Sequence, residues 1–540
     1  LIIQQTQANT ATLPQAQGRL RTKWEIFFLI LILAAAGILR FAYCYDMPVS
    51  GDEAVSLIQA SGQAVAVSEL FPDVPGSSSG INRIIEYSGD FGIRDVLESM
   101  RKAGMHPPFY YVFLHYILKF FGTGLIALRL PSVIFSTLSI AALYALCREV
   151  FPKRSALPAA LLLAFSPYGI HYAHMIRPYP LLMLLSLLST CLVLRLRAKE
   201  QFDAAHAGFW GYVLLSVVGL YTLYHYVFVF IFQLVFLLPG SVRDKRRIAA
   251  VLGAGVIAVL SYLPWLPSFR DQLQVVTGGS FYYFGKSSPL AVYRYFLEFN
   301  FTQAFPGGIN WYKIMLALLI TIFIGTGVLC SLRTNRGRCF AAAAVAYFVL
   351  GYAADRLMNM QTLNIAKLLF FVVPLFLLYL GAGLWQLLQR QRTAGILGMS
   401  LVVGILLFSS GLLLQNPKQE DCPFYLSAYR SYIRETNGSP DKTLVVINER
   451  ARRSVFPLSH IMRSDGFDFF ASDEFPEVLR DIDMGAYADV YFVSPRSNRV
   501  FEKEELETLN AIMSENGFEP EVGSPVPAAI GQTRLQHFKR

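Results

Sequence analysis

The chain has 540 residues, of which 54% are hydrophobic and only 16% charged, and its formal net charge is +10. Apolar runs long enough to cross a bilayer core, about 20 residues each, recur along it, which a soluble fold of this length would not need. The Lys and Arg residues sit mainly in short clusters between those runs, the placement of the positive-inside rule rather than of a groove for phosphodiesters. Composition therefore points to a polytopic helical membrane protein and away from a nucleic-acid partner.

The polar tail Leu1 to Gly18 and the basic RLRTK precede a first span, Trp24 to Tyr43, the pattern of a cytoplasmic start without a cleavable signal peptide. A long mixed segment follows, Cys44 to Gly124, with a Ser and Gly cluster at Gly76 to Gly80, and is read as a loop. At its end the run Pro108 to Phe121 is interrupted by His115 and Lys119, and it is shorter than the roughly 17 to 25 residues of a span. If it crossed the membrane, the basic loops REVFPKR, RLRAKE, SVRDKRR, RTNRGR and RQR would all lie outside. Lying flat in the interface, it leaves all five on the cytoplasmic side, so it is read as a juxtamembrane helix.

The remaining spans are expected at Leu125 to Cys147, Ala156 to Tyr172, Tyr179 to Leu194, a tight pair within Gly208 to Leu238, Ile248 to Leu266, Trp311 to Leu332, Phe340 to Ala354, Leu368 to Leu388 and Thr393 to Leu414. With the first they make about eleven. The outside segments are then Ala173 to Pro178, Pro267 to Asn310, Asp355 to Ala366, and everything from Gln415. In that last piece TLVVIN and ADVYFVSPR read as buried strands and EKEELETLNAIMSEN, stopped by Gly517, as an amphipathic helix. The scheme is a cytoplasmic tail (1–23), a transmembrane domain (24–414) with its first extracytoplasmic loop (44–124), and an extracytoplasmic α/β domain (415–540). Of the six cysteines only Cys44 and Cys422 would face the outside, and spacing does not support a disulfide between them.

Ionisable residues gather at the two ends of the first loop, in SGDEAVSLIQA and GMHPPFYY. Asp52 and Glu53 follow the first span directly, where partial desolvation can bring a carboxylate into the range of a general base. The competing reading makes Asp52 an ordinary N-cap of a helix from Glu53 to Ala60. His106 is followed by two prolines that stiffen the start of the juxtamembrane helix and aim His106, Tyr110 and Tyr111; a plain interfacial anchor is the alternative. Arg177 lies in the short turn between two spans, flanked by His171 and His174, and could hold a phosphate or reach lipid headgroups. Lys367, Arg270, Lys286, Arg294 and Arg356 would face the same compartment, against the charge rule, where an anionic lipid leaving group would need cations.

Taken in order, five motifs resemble the bacterial membrane glycosyltransferases related to protein O-mannosyltransferases and to the aminoarabinose transferase of lipid A. They are DEA from Asp52, HPPFYY from His106, LRLPSVIFSTLSIAALYAL from Leu128, SPYGIHYAHMIRPYPLLMLLSLLS from Ser166 and LYTLYHY from Leu220. The resemblance implies the GT-C fold and a multi-pass plasma-membrane enzyme whose active site and C-terminal domain are extracytoplasmic. It further implies a polyprenyl-phosphate sugar as donor, an acceptor at the outer leaflet, and inversion with Asp52 as general base, Glu53 supporting or orienting it. Arg177 matches the arginine of the family's second outside loop, and Lys367 stands where relatives often carry arginine. His106, Val55 and the Tyr, Pro and Leu after Arg177 depart from the aminoarabinose-transferring relatives, which argues against that sugar and lipid.

The expected function is transfer of a sugar from the lipid carrier to an unidentified glycan, lipid or protein, with catalytic Asp52 and Glu53 and substrate-binding His106, Tyr110, Tyr111, Arg177, Arg270, Arg294 and Lys367. No cofactor or bound metal is required by this logic. The rival is a transporter or flippase of lipid-linked sugars, which would place ionisable groups near the midplane and show repeated halves. A subunit of an envelope-assembly complex is a third reading.

Overall fold

The structure is a computed structural model that describes residues 23–42, 44, 50–63, 76–77, 89–103, 106–198, 204–241, 245–277, 288–302, 310–358, 362–415, 443–447, 468–471, 475–495, 501–520 and 533–540. Its helices up to the end of the apolar part are α1 (Lys23–Phe41), α2 (Gly51–Ser61), α3 (Ile93–Ala103), α4 (Phe109–Phe121), α5 (Leu125–Val150), α6 (Ala156–Ala164), α7 (Pro167–Ala173), α8 (Tyr179–Ala198), α9 (Ala207–Thr222), α10 (Tyr226–Ser241), α11 (Lys245–Tyr262), α12 (Leu266–Thr277), α13 (Pro289–Leu297), α14 (Trp311–Ser331), α15 (Asn335–Leu357), α16 (Val372–Arg390) and α17 (Arg392–Gln415).

This is a multi-pass membrane protein. Among the described residues eight helical runs are long and apolar enough to cross a bilayer: α1, α5, α8, the run Ile248–Gln274, α14, α15, α16 and α17. At the other three expected crossings the helices are shorter than a span. α9 and α10 have 16 residues each. The span expected at Ala156 to Tyr172 is instead two helices, because Ser166 caps a new one: its hydroxyl accepts from Gly169 N, and Pro167 occupies the first turn. α15 also runs past the expected Ala354, and α16 starts at Val372 rather than Leu368 because residues 366–368 form a tight 3₁₀ turn.

By its internal contacts the chain divides into two compact units. One comprises Leu1–Tyr43, Leu130–His174 and Pro178–Gly411. Within it α14 and α16 approach to backbone contact, which Gly327 and Gly383 allow: a Cβ on either would collide with a carbonyl of the other helix. Arg40 is buried here. Its guanidinium donates to Ala164 O (2.7 Å), Leu163 O (2.9 Å) and Ser136 Oγ (2.9 Å), so carbonyls at the end of α6 help to solvate the charge.

The other unit comprises Cys44–Arg129, Met175–Arg177 and Leu412–Arg540. In its first part α2, α3 and α4 pack on one another. α4 buries Tyr110, Tyr111, Leu114, His115 and Leu118 and exposes Phe109, Tyr116, Phe120 and Phe121. His115 Nδ1 donates to Ala60 O at 2.9 Å, so this ring fastens α4 to the end of α2.

The C-terminal part carries a six-stranded sheet. Its strands are β1 (Gly76–Ser77), β2 (Thr443–Ile447), β3 (Asp468–Ala471), β4 (Asp489–Pro495), β5 (Glu519–Pro520) and β6 (Thr533–Lys539), in the order β1-β3-β2-β4-β6-β5. β2 pairs in parallel with β3 and β4, and the other pairings are antiparallel. Leu444, Val446, Val490, Phe492 and Phe538 form one apolar face, packed with Leu479 of α18 (Phe475–Asp481) and with Leu509, Ile512 and Met513 of α19 (Phe501–Glu515). Both expected strands and the expected helix are present, and Gly517 ends the helix at φ +76°. The Gly76 to Gly80 cluster, read as loop, instead gives its first two residues to the edge of this sheet.

Candidate active site

Ser50, not Asp52, caps α2. Its hydroxyl accepts from Glu53 N at 3.2 Å, and Glu53 Oε2 accepts in return from Ser50 N at 2.9 Å, a capping box that pins the Glu53 carboxylate at the helix start. The expected cap at Asp52 is thereby corrected.

Glu53 is the hub of a buried network. Arg129, near the start of α5, donates from Nε to Oε1 and from Nη2 to Oε2, both at 3.1 Å, and from Nη1 to Cys44 O at 2.7 Å. The side chains of both members of the pair are essentially inaccessible, at 0% and 1% exposure, which makes this a charge pair fully removed from water. Ile176 N donates to Glu53 Oε1 at 3.0 Å, tying the 175–177 turn to the same carboxylate. Burial pushes the neighbouring Cys44 thiol up to about 11, with Arg129 pulling it down and Glu53 adding to the rise.

That tie delivers Arg177 to the first turn of α2. Its Nη1 donates to Asp52 O (3.2 Å) and Ser56 Oγ (2.9 Å), and its Nη2 lies 3.7 Å from Asp52 Oδ2. The same Nη2 is 3.0 Å from His106 Nε2. An arginine has no acceptor to offer, so Nε2 accepts and the imidazole proton resides on Nδ1. His106 in turn stacks over Tyr111 at 6.2 Å, and Tyr110 meets Tyr111 edge-on at 5.7 Å. Asp52, Tyr110, Tyr111 and Arg177 are buried and His106 half-buried.

Five of the expected residues are thus brought together: Asp52, His106, Tyr110, Tyr111 and Arg177, with Glu53 directly behind. Arg270, Arg294 and Lys367 belong to the other unit. There Arg270 is exposed on α12, while Arg294 is exposed on α13, 3.5 Å from Glu298 and over the Tyr295 ring. Lys367 is buried in the 366–368 turn. Lys286 and Cys422 lie outside the described residues.

Arg129 was missed although it was visible as a lone arginine inside the apolar run LIALRLPSVIF, the kind of intramembrane charge that marks a site. Ser50 was legible too, since SGDE matches the S-x-x-E pattern of a capping box. Among the described residues no group of three His, Cys, Asp or Glu side chains is placed to hold a metal ion.

Residues 105–267 match the model of the dolichyl-phosphate-mannose-protein mannosyltransferase family. The chain also shares its architecture with ArnT from Cupriavidus metallidurans in the apo state, at a TM-score of 0.54 and 11% identity over 96% of this chain and 98% of that one. The family match and the shared architecture support a GT-C membrane glycosyltransferase, in keeping with the resemblance of its motifs. The archaeal oligosaccharyltransferase AglB from Archaeoglobus fulgidus, solved with an inhibitory peptide and a dolichol-phosphate, is similar at a TM-score of 0.50 and 12% identity over 87% of this chain and 69% of its own. No curated protein sequence matches. The family match takes in His106, Tyr110, Tyr111, Arg129 and Arg177, and it begins after the Asp52 and Glu53 pair.

Proposed function

We propose that this glycosyltransferase moves a sugar from a polyprenyl-phosphate-linked donor to a lipid, glycan or protein acceptor at the outer face of the plasma membrane, inverting the anomeric carbon, with Asp52 as general base. The observation that carries the reading is the Asp52 carboxylate. Its helix is capped by Ser50, Glu53 is occupied by Arg129 and Ile176 N, and Asp52 is held buried with a guanidinium 3.7 Å away.

In the proposed step an acceptor O–H or N–H gives its proton to an Asp52 oxygen as the acceptor atom bonds to the anomeric carbon. The bond from that carbon to the phosphate oxygen breaks, and its electron pair leaves on the lipid monophosphate. Cations lower the barrier by stabilising that departing charge, a role we assign to Lys367 first, with Arg270 and Arg294 drawing the donor in. Arg177 fixes Asp52 and His106 relative to each other, and Tyr110 and Tyr111, packed beside His106, are assigned to substrate binding. A lipid-linked donor is in keeping with the matched family, whose name carries dolichyl-phosphate-mannose.

The test uses the purified full chain and its lipid-linked donor. Asp52→Asn should abolish transfer while binding of undecaprenyl monophosphate persists. Retained transfer in that variant refutes the general-base role, and a product that keeps the donor's anomeric configuration refutes inversion.

A further inference from the structure

The segment that carries Lys367 is built as two 3₁₀ turns in series, residues 362–364 and 366–368, linked by Ile365 N to Thr362 O (3.2 Å) and Leu368 N to Ile365 O (3.0 Å). Such turns are short and poorly self-stabilised, so something outside them must fix their place. One support is α13, which packs against both.

The other is Asp355, on the last turns of α15. Its carboxylate is buried at 3% exposure. It accepts from Leu363 N at 3.0 Å through one oxygen and from the Thr362 hydroxyl through the other. Both donors belong to the first turn, and a bidentate, charge-assisted grip of this kind sets position and orientation together. A buried carboxylate would otherwise be costly at the end of an apolar helix. Asp355 also lies close enough to the half-buried His225, in the 223–225 turn, to influence it electrostatically.

We infer that Asp355 is a positioning residue: through Thr362 and Leu363 it sets the turn that presents the Lys367 ammonium to the donor's phosphate. This rests on the reading of Lys367 as a lipid-phosphate ligand. Displacement of the first turn shifts the second, because the two are joined through Ile365 without a loop between them.

The test measures binding of undecaprenyl monophosphate to the purified full chain. Lys367→Gln tests the parent reading, and wild-type affinity in that variant overturns both the parent reading and the inference. Asp355→Asn and the milder Thr362→Val, which removes one donor and leaves the charge, should each weaken binding on the order of tenfold, as expected for a mis-set binding group. The decisive variant is Thr362→Val combined with Lys367→Gln, which should bind no more weakly than Lys367→Gln alone, since the turn acts only through the lysine. Weakening by Lys367→Gln with wild-type binding in both other single variants overturns the inference and leaves the parent reading standing. Simple addition of the two losses in the double variant overturns it as well, because a general loss of structure would behave that way.

Discussion

Replacing Arg129 by methionine removes one half of a buried ion pair and leaves the Glu53 carboxylate with only Ser50 and Ile176 N as donors. Arg129 supplies two charge-assisted hydrogen bonds to Glu53 and a third to Cys44 O. Stranding one member of such a pair costs about 3–5 kcal/mol. Glu53→Gln should cost a similar amount, about 3–5 kcal/mol, since it strands the buried Arg129 guanidinium, which keeps only neutral acceptors such as the amide oxygen and Cys44 O. With both replaced no carboxylate remains to be solvated, so the double variant should be less impaired than the sum, with a coupling of about 2 kcal/mol. The assay is thermal unfolding of the detergent-purified chain in a double-mutant cycle, with Asp52→Asn as the reference that should unfold near the parent. Arg129→Met within about 0.5 kcal/mol of the parent, the range of an ordinary surface substitution, would refute the argument, and so would single effects that merely add.

His106→Leu removes the acceptor of the Arg177 Nη2 proton, whereas His106→Gln retains one; kcat/KM should fall about tenfold or more in the first and recover substantially in the second, and equal losses would sink the hydrogen-bond reading. Gly62 closes α2 at φ +86°, and a Cβ there would sit 2.9 Å from Phe91 Cβ, so Gly62→Ala should destabilise by about 1–2 kcal/mol from backbone alone; an unchanged unfolding midpoint would contradict this. Burial pushes the His225 imidazole down to about 4 from an ordinary 6.5. The unfolded chain therefore takes up that proton first, and stability should fall as pH drops from about 6.5 to about 4, by roughly 3 kcal/mol in total. His225→Gln should lack that part of the acid sensitivity, and identical pH profiles of unfolding would rule the assignment out.

The apolar runs, the helix at Phe109–Phe121 and the α/β character of the C-terminal part could be read from the chain because each is a local property. Hydropathy over a window, the length of a run, and the alternation in TLVVIN and ADVYFVSPR need no knowledge of neighbours. The break at Ser166-Pro167 was also local, but the apolar residues on both sides concealed it. Two further residues were legible and passed over: Ser50 by its spacing to Glu53, and Arg129 by its isolation among apolar residues.

By itself, then, the sequence determined which residue types stand at the ends of the first loop and which segments are apolar enough for lipid. Only the tertiary structure decided what the Glu53 carboxylate is bonded to. That outcome depends on Arg129 and Ile176, both distant in sequence, whose donors converge on Glu53 because a buried carboxylate must be satisfied by whatever the fold brings within reach. The same holds for the Gly76–Ser77 strand, whose pairing partner lies at Asp468–Phe469. Backbone hydrogen bonds of that kind carry no side-chain signature, so no pattern in the chain announces them.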